Sequence, residues 1–578
     1  MTGIAGFFKK GGVEQENTIL AGMLDTLSEG MEQGELVVKR EIEPGMGGIG
    51  SARWSWIAGN DASIDSDDSG CSLYIQGDMY GSTVGDLLKH YRSKENSFLN
   101  GLSVDGAFSG VLLDKKGRKA VIFADYFGLE PLYYYLNDGI FAFSSNIKGL
   151  LAVPGINKSV DVATFASFWN FGYALLDHTP FKHIRLLPSA TVLALDLNDW
   201  REESFSYDTF LNLFGQPELQ DNKAGLDETA RAFMAAVQKR SNDASSIQLG
   251  LSLSGGLDSR GILGGLGERS KGLKTYTLGL PGCADERLAA RMADACQSVH
   301  EFIPIDESSL KDFEALARMM VTLSDGLYHP HESTERVALN YLSTRPFDVM
   351  LRGHGGEIAK AALAYPVQAT RDMMGMASAD VVSALFKKSS LAGYNINMAS
   401  LLTSDIYKAT DGMAWEMFQQ AAEPAVSAGV SNVDLCIYLY IDQCIRRQVV
   451  ASLSLFRSKV GIRLPYLDRD FLTVLLQLPV ENRWIGEFHH YFIRHFAPQL
   501  EKIPDSNTGA PLNAGPLRLL ITDKVNAVLK RLGVTGFRHY TEFQKWQRKY
   551  FSDVIKEILF SEQSLDRGYY RREGLQEI

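Results

Sequence analysis

Short apolar or alternating segments separated by glycine turns fill residues 1–207 of the chain. Each segment has the length of a strand and is bounded by turn-forming residues, which predicts β-structure. The predicted strands are Gly3 to Phe8, Ser72 to Gln76, Gly110 to Asp114, Ala120 to Ala124, Leu132 to Leu136 and Ile140 to Ser144. This pattern predicts a strand-rich, layered α+β domain.

The pattern changes after a polar stretch with glycine and proline between Phe214 and Leu226. Apolar residues then recur at helical spacing up to Val237 and alternate from Ile247 to Leu253, which predicts a helix followed by a strand. Further helices are predicted after Asp258 and at 285–297, and further strands at 275–280, 301–305 and 347–351. This alternation predicts a doubly wound parallel sheet.

The two patterns predict an N-terminal domain at 1–210, a linker at 211–225 and a C-terminal domain at 226–578. A chain of 578 residues is too long for one ordinary core, so at least two domains are expected. With 45% hydrophobic and 22% charged residues, the composition is that of ordinary globular domains.

Charge and cysteine content narrow the classes of function. A formal net charge of -11 argues against a general affinity for nucleic acid, so small substrates or protein partners are favoured. The five cysteines are scattered without Cys-x-x-Cys spacing, which predicts buried thiols in a reducing compartment. No stretch reaches the length of a membrane span, and the sequence does not start like a signal peptide. We therefore expect a cytoplasmic protein that binds neither nucleic acid nor membranes.

The strongest local signal is Leu-Ser-Leu-Ser-Gly-Gly-Leu-Asp-Ser at residues 251–259, between a predicted strand and a predicted helix. Gly255 and Gly256 lack β-carbons, so their amides can approach a phosphate closely, and the following helix N-terminus favours negative charge. Asp258 would repel a bare phosphate, which makes sense if Mg²⁺ bridges it to a nucleotide. The loop therefore predicts a site for magnesium-bound pyrophosphate. The alternative is a glycine-rich turn that only connects strand to helix.

With these flanks, the sequence resembles the asparagine synthetase family of ATP pyrophosphatases over most of the chain. The resemblance implies an α+β N-terminal Ntn-hydrolase-like sandwich domain followed by an α/β adenine-nucleotide alpha-hydrolase-like (PP-loop) synthetase domain. It implies that Thr277 and Leu278 lie on the adenine-side strand, that an acidic pair at Asp285 opens the next helix, and that residues 461–468 form the family's Arg-x-Pro segment. The implied ATP-binding loop consists of Leu253, Ser254, Gly255, Gly256, Leu257, Asp258 and Ser259.

Residues 352–358 depart from the family's Ser-Gly-Glu-Gly-Ser-Asp-Glu pattern. The resemblance implies that Gly353 contributes to the ATP site and that Glu357 stands in for a magnesium-ligating Asp, which makes Asp258 and Glu357 the predicted metal ligands. His354 stands where the family has an acidic residue, and a histidine that titrates near neutral pH can serve as a base or a substrate contact. Asp258, His354 and Glu357 are the predicted catalytic residues, with ATP and Mg²⁺ as the predicted cofactors.

A lysine that the family carries late in the chain, after a Leu-Pro-Asp-Ser segment, is missing from the corresponding residues 503–511. Lys502 lies just upstream of this segment, and Lys360 follows the Glu357 motif. For each of these lysines we expect a solvated position at the surface.

The N-terminal segment resembles the glutaminase half of the family, in which a Cys after the initiator Met is the nucleophile. Thr2 takes that position here, and a threonine hydroxyl is a much weaker nucleophile than a thiolate at neutral pH. Gln76 and Gly81 stand where the family has two asparagines, one of which holds glutamine. We therefore expect glutamine hydrolysis to be lost. The alternative is that Thr2 itself acts as an N-terminal nucleophile.

These features together predict an ATP-dependent ligase that adenylates a carboxylate, releases pyrophosphate and transfers the acyl group to an amine. β-Lactam synthetases and lasso-peptide cyclases are family branches of this kind, which suggests small-molecule or peptide substrates and leaves open a homodimer or a partner biosynthetic protein. The alternatives are asparagine synthesis from ammonia or glutamine, a non-catalytic nucleotide-binding scaffold, and a PP-loop enzyme acting on tRNA.

Overall fold

The computed structural model of the protein describes residues 3–29, 36–54, 65–66, 70–93, 99, 104–219, 221–242, 247–306, 308, 313–329, 335–344, 346–391, 397–538, 541–542 and 546–576. Within these ranges the strands form two six-stranded sheets and one five-stranded sheet. The six-stranded sheets belong to the N-terminal half of the chain and the five-stranded sheet to the C-terminal half.

The strands of the N-terminal half pair in antiparallel fashion. In chain order they are β1 (Gly3–Lys9), β2 (Leu36–Glu43), β3 (Gly47–Trp54), β4 (Asp65–Ser66), β5 (Cys71–Tyr80), β6 (Asp105–Asp114), β7 (Lys119–Ala124), β8 (Tyr133–Asn137), β9 (Ile140–Ser144), β10 (Ile184–Leu186), β11 (Thr191–Asp196) and β12 (Glu202–Ser206). One sheet has the order β10-β8-β9-β1-β3-β2, and the other has the order β12-β11-β7-β6-β5-β4.

The two antiparallel sheets enclose an apolar layer in which Phe8 and Ile49 of the first sheet lie in one cluster with Ile122 and Leu193 of the second. Helices cover the outer faces, since a second cluster joins β1 to the helix Glu16–Asp25 and a third joins β5 to the helix Val84–Ser93. The layers therefore run helix, sheet, sheet, helix, and the predicted layered α+β character of this half is confirmed.

The C-terminal half contains a parallel sheet of β13 (Leu249–Ser252), β14 (Lys274–Gly279), β15 (Val299–Pro304), β16 (Val349–Leu351) and β17 (Gly461–Arg463). Its order is β15-β14-β13-β16-β17, and every neighbouring pair is parallel. The chain runs outward on one side of β13 and then crosses to the other side, so the strand order reverses between β13 and β16. Ligands of open parallel sheets bind at such a reversal, beyond the carboxyl ends of the strands.

Most of the remaining structure is helical. The α-helices are α1 (Glu16–Asp25), α2 (Val84–Ser93), α3 (Ile147–Leu151), α4 (Val162–Phe171), α5 (Asn222–Lys239), α6 (Leu257–Gly265), α7 (Ala284–Ala295), α8 (Phe313–Ser324), α9 (Glu335–Ser343), α10 (Ser378–Ser389), α11 (Met398–Leu401), α12 (Ser404–Thr410), α13 (Met413–Ser427), α14 (Asn432–Leu439), α15 (Val450–Arg457), α16 (Arg469–Leu475), α17 (Glu487–Phe496), α18 (Pro516–Arg531), α19 (Ser552–Phe560), α20 (Glu562–Leu565) and α21 (Arg572–Gln576). A π-helical segment, Tyr440–Val449, joins α14 to α15.

Ion pairs connect the two halves. Arg463 Nε, at the end of β17, lies 2.8 Å from Asp78 Oδ2 of β5, and Arg240 Nη2 lies 3.1 Å from Asp105 Oδ2. Both arginine side chains are almost fully buried, so the pairs are shielded from water and salt. The Arg-x-Pro segment thus contributes, through Arg463, to holding the halves together.

Two expectations about the whole chain can be compared with the structure. All five cysteines are free and buried, which confirms the prediction of buried thiols. Among the described helices, none is both long and apolar enough to cross a membrane.

Candidate nucleotide site

Two hydrogen bonds hold the loop between β13 and α6 to the neighbouring strand β14. The amide of Leu253 donates to Tyr276 O at 2.9 Å, and the hydroxyl of Thr277 donates to Leu253 O. Leu253 and Thr277 are buried, whereas Leu278 is partly exposed. Leu253 and Thr277 therefore shape the loop, and Leu278 keeps an accessible surface at the carboxyl end of the strand.

The two glycines of the loop differ in the space around their α-carbons: Gly255 is enclosed and Gly256 is open. The amide of Gly255 donates to Asp285 Oδ1 at 2.8 Å, and a β-carbon on Gly255 would lie 2.7 Å from the same oxygen. Gly256 is partly exposed, and a β-carbon there would meet no atom closer than Ser254 Oγ at 3.5 Å. Ser259 Oγ accepts from Ser254 N at 3.0 Å, which closes the turn. The accessible surface of the loop is thus at Ser254 and Gly256, ahead of the helix N-terminus that begins at Leu257.

Asp258 lies in the first turn of α6, where two cationic or polar side chains meet its carboxylate. Lys360 Nζ lies 2.7 Å from Oδ2, and His489 Nε2 lies 3.0 Å from Oδ1. Burial by itself would raise the pKa of Asp258, but the positive charge of Lys360 and the contact with His489 outweigh it and lower the pKa to about 2. Asp258 is therefore ionised at any physiological pH.

Glycines in the loop after β16 allow that loop to pack directly on Asp258. A β-carbon on Gly353 would lie 2.9 Å from Asp258 Cβ, and one on Gly356 would lie 2.2 Å from Asp258 Oδ1. Any side chain at Gly356 would displace the carboxylate. The loops that follow β13 and β16 therefore meet where the strand order reverses, as the parallel-sheet prediction implies.

Glu357 follows these glycines and is partly buried. Tyr440 donates a hydrogen bond to its Oε2 at 2.9 Å. Burial raises the pKa of Glu357, and the negative charge of Asp258 raises it further. The structure thus brings the two predicted metal ligands close enough for each to affect the other's ionisation.

His354 is partly buried in the same loop beside Arg352, with its Nδ1 shielded from solvent. Burial and the charge of Arg352 lower the pKa of His354 to about 3, so the imidazole is neutral at physiological pH. A group with this pKa does not suit a base that titrates near neutrality, whereas a neutral imidazole with an unoccupied Nδ1 suits a substrate contact.

The two lysines differ. Lys502 is exposed, as expected. The expectation of a solvated surface position for Lys360 was wrong, because this residue is only 8% exposed and its ammonium group pairs with Asp258. The sequence motifs do not reveal this contact, because the two residues lie 102 positions apart in the chain.

His489 was not identified from the sequence. It lies on the buried face of α17, is 1% exposed and contacts Asp258. The only sequence signal is a His-His pair on an amphipathic helix, and such a pattern more often indicates packing in the core.

The late segment at 503–511 covers the inner side of the loop. Ser506 N donates to Gly255 O at 3.1 Å, and Arg260 Nη2 donates to the same carbonyl at 3.0 Å. Arg260 also donates to Pro504 O at 2.6 Å. The segment that resembles the family's Leu-Pro-Asp-Ser thus positions the loop.

Several buried polar atoms around Asp258 have no hydrogen-bond partner among the described residues. Buried polar atoms are nearly always hydrogen-bonded in folded proteins, so a group of unpaired ones suggests that a polar ligand completes them. These atoms are His489 Nδ1, His354 Nδ1 and Arg352 Nη1.

The carboxylate of Asp258 is also the candidate ligand for a metal ion. Within the described ranges no three His, Cys, Asp or Glu side chains are grouped to hold a metal by themselves. Magnesium, however, commonly binds through one or two carboxylates plus substrate phosphates. Asp258 is ionised and lies in the first turn of the helix that follows the loop, so its carboxylate suits a metal that arrives with a phosphate-bearing substrate.

Thr2 and Gln76 mark the position of the family's glutamine site in the N-terminal half. Thr2 lies outside the described residues. Gln76 is 2% exposed, and its Nε2 donates to Ser109 Oγ at 2.8 Å and to Pro131 O at 3.0 Å. Its Oε1 accepts a hydrogen bond from Ser145. The residue that replaces the family's asparagine therefore has its hydrogen-bonding groups engaged within the protein.

Comparisons with known proteins show two families that match this chain. A family pattern described as "Asparagine synthase" matches residues 228–508, and one described as "Glutamine amidotransferase domain" matches residues 83–206. The putative asparagine synthetase (glutamine-hydrolyzing) 2 of Methanocaldococcus jannaschii is 28% identical over 260 residues, which cover 44% of this chain and 48% of that protein. The asparagine synthetase (glutamine-hydrolyzing) of Homo sapiens is 27% identical over 225 residues, which cover 37% of this chain and 38% of that protein.

The matched region thus spans about half or less of the length of these relatives. Among solved structures, glutamine phosphoribosylpyrophosphate amidotransferase from B. subtilis, complexed with ADP and GMP, covers 52% of this chain and 80% of its own at 10% identity. Its TM-score of 0.23 is too low to support an inference about the fold.

A glutamine amidotransferase domain followed by an asparagine synthase domain, with antiparallel and parallel sheets in that order, defines a two-part class of proteins. The two family matches and the relatives place this chain within that class. The chain belongs to the asparagine synthetase family.

Proposed function

We propose that the protein is an ATP-dependent carbon–nitrogen ligase that adenylates a carboxylate, releases pyrophosphate and transfers the acyl group to an amine. The observation that carries this proposal is the group of unpaired buried polar atoms around Asp258, at the point where the strand order of the parallel sheet reverses. An enzyme that breaks the bond between the α- and β-phosphates needs such a set of fixed polar groups, because they stabilise charge as it develops on the leaving pyrophosphate.

The roles of the loop residues follow from their accessibility. In this proposal the C-terminal half is a PP-loop domain, in which Ser254, the exposed side of Gly256 and the N-terminus of α6 receive the phosphates of ATP. Leu278 contacts the adenine.

Asp258, with Glu357 close by, would hold Mg²⁺ that arrives with the phosphates, and the ion would neutralise part of their charge. His354, neutral and partly buried, would contact the carboxylate substrate. The protein's own groups would thus hold the nucleotide and the acid side by side.

We further propose that the N-terminal half, an Ntn-hydrolase-like sandwich, has lost glutamine hydrolysis. The saturated hydrogen bonds of Gln76 support this loss, because they leave that side chain without a free group for glutamine. The amine would then be ammonia, an amino group of the same substrate or one of a second molecule. Lactam or macrolactam formation in a natural product or peptide fits this requirement, with small-molecule or peptide substrates and with a second copy or a biosynthetic protein as partner.

Asparagine synthesis is the second candidate, favoured by the similarity to proteins named asparagine synthetase. A nucleotide-binding scaffold without catalysis is the third. The three differ in whether pyrophosphate exchanges into ATP and in which acid supports the exchange.

The test is ATP–pyrophosphate exchange with a panel of carboxylic acids, for the wild type and Asp258→Ala. We expect exchange with at least one acid and a loss of about 1,000-fold in the variant, since it removes a fixed charge at the reacting phosphates. Thr2→Ala should not change the rate with free amines. Exchange that survives in Asp258→Ala would refute the site, aspartate as the only active acid would favour asparagine synthesis, and a large loss in Thr2→Ala with glutamine as donor would restore the glutaminase.

A further inference from the structure

A buried ammonium group lies beside the proposed phosphate site. Lys360 Nζ is 2.7 Å from Asp258 Oδ2, and the lysine is 8% exposed. A lysine is almost never buried without a partner, because its ammonium group loses the water that solvates it. The pair with Asp258 is therefore the contact that allows Lys360 to be buried here.

The backbone and stem of Lys360 hold the ammonium group in place. Lys360 N donates to Glu357 O at 2.8 Å, and Leu363 N donates to Lys360 O at 2.7 Å. Its stem packs against the turn at Gly486, where a β-carbon would lie 3.4 Å from Lys360 Cγ. The same turn begins α17, which carries His489. The turn that packs on the stem of Lys360 therefore also leads into the helix that carries His489.

The acidic residues around Lys360 indicate the role of its ammonium group. Lys360 lies within electrostatic range of three acidic residues, Asp258, Glu357 and Asp505, and Asp258 is ionised before any phosphate enters the site. Phosphates that approach Ser254 and Gly256 would be repelled by an unpaired Asp258, because like charges close together inside a protein are only weakly screened. A resident ammonium group on Asp258 removes that repulsion.

We propose that Lys360 is a binding residue of the nucleotide site, a built-in cation that neutralises Asp258 and helps to hold the phosphates, so that nucleotide binding does not depend on magnesium alone. This inference rests on the proposed function, since it requires a nucleotide at the loop. The sequence motifs predict only a metal ion as the positive charge at Asp258. The inference adds the ammonium group of Lys360 as a second positive charge there.

The test is calorimetric titration of the protein with a non-hydrolysable ATP analogue, once with magnesium and once with EDTA. For the wild type we expect the affinity to fall by less than about 10-fold when magnesium is removed. For Lys360→Met we expect a fall of more than about 100-fold, since a charge-assisted contact has been removed and only the metal can replace it. Lys360→Arg keeps the charge and should keep most of the wild-type behaviour.

Lys502→Met is the matched control, because Lys502 is an exposed lysine just ahead of the segment that covers the loop. It should bind the analogue as the wild type does in both buffers. Equal magnesium dependence in the wild type and Lys360→Met would overturn the inference. Complete loss of wild-type binding in EDTA would also overturn it, and this arm needs no variant that has to fold. Failure of the wild type to bind even with magnesium would instead refute the nucleotide site itself.

Discussion

The two halves of the molecule each contain a buried polar cluster, and the clusters differ in how their hydrogen bonds are completed. In the N-terminal half, Gln76 donates to Ser109 and Pro131 and accepts from Ser145. In the C-terminal half, the polar atoms around Asp258 include several that have no hydrogen-bond partner among the described residues. The first cluster is complete within the protein, and the second is not.

This difference separates a structural cluster from a binding site. An unpaired buried polar group costs about 1–3 kcal/mol, so a cluster of them persists only where something else repays the cost. A ligand that supplies phosphate oxygens and a cation would do so at Asp258. Around Gln76 the same argument predicts that no ligand is needed.

The largest expected effect is a loss of stability when Gln76 is replaced, in the cluster whose hydrogen bonds are complete within the protein. Gln76→Met should lower the free energy of unfolding by about 3 kcal/mol, because it leaves the partners of Gln76 unpaired in the interior. Chemical denaturation followed by far-UV circular dichroism measures this loss. Pyrophosphate exchange by the folded variant should stay at the wild-type rate, and a fall in exchange with unchanged stability would mean that this cluster takes part in function.

The second prediction concerns the pH dependence of stability at the cluster around Asp258. The pKa of Asp258 in the folded protein, about 2, lies below the value of 3.8 expected in the unfolded chain, so its ionised form stabilises the fold. This stabilisation, about 2 kcal/mol, is present above pH 4 and is lost as the pH falls from 4 towards 2.

Unfolding of the wild type and of Asp258→Asn, measured from pH 6 down to pH 3, isolates that contribution. The difference in free energy of unfolding should be constant above pH 5 and should shrink below pH 4. A difference that does not change over this range would show that Lys360 and His489 do not stabilise the charge of Asp258.

Local patterns made much of the fold predictable. Glycine turns marked β1 and β9, and the alternation of helix and strand marked the parallel sheet from β13 to β16. Strand β3 was missed because it is rich in glycine, which is needed where a β-carbon on Gly47 would lie 1.9 Å from Phe7 O. Strand β17 was missed because it has only three residues and derives its stability from pairing with β16.

The site was predictable only where its residues are close in sequence. The loop from Ser254 to Ser259 stands out because glycine, serine and aspartate occur together between a strand and a helix. Lys360 and His489 reach Asp258 through tertiary packing, and neither has a local pattern that indicates the contact. A sequence motif can therefore identify the residues that meet a substrate's phosphates without revealing those that set the charge around them.

The most direct test of the nucleotide site uses the open glycine of the loop. Gly256 has a φ of -81° and room for a β-carbon, so Gly256→Ala should fold with its free energy of unfolding changed by less than about 1 kcal/mol. Its methyl group would stand where the phosphates approach the amide. The matched control is Gly375→Ala, at an exposed glycine outside the site where a β-carbon would meet nothing within 4 Å.

Equilibrium binding of a non-hydrolysable ATP analogue, with magnesium, should be at least about 10-fold weaker in Gly256→Ala than in the wild type and unchanged in Gly375→Ala. Equal affinity in all three proteins would contradict the assignment of the phosphates to this loop.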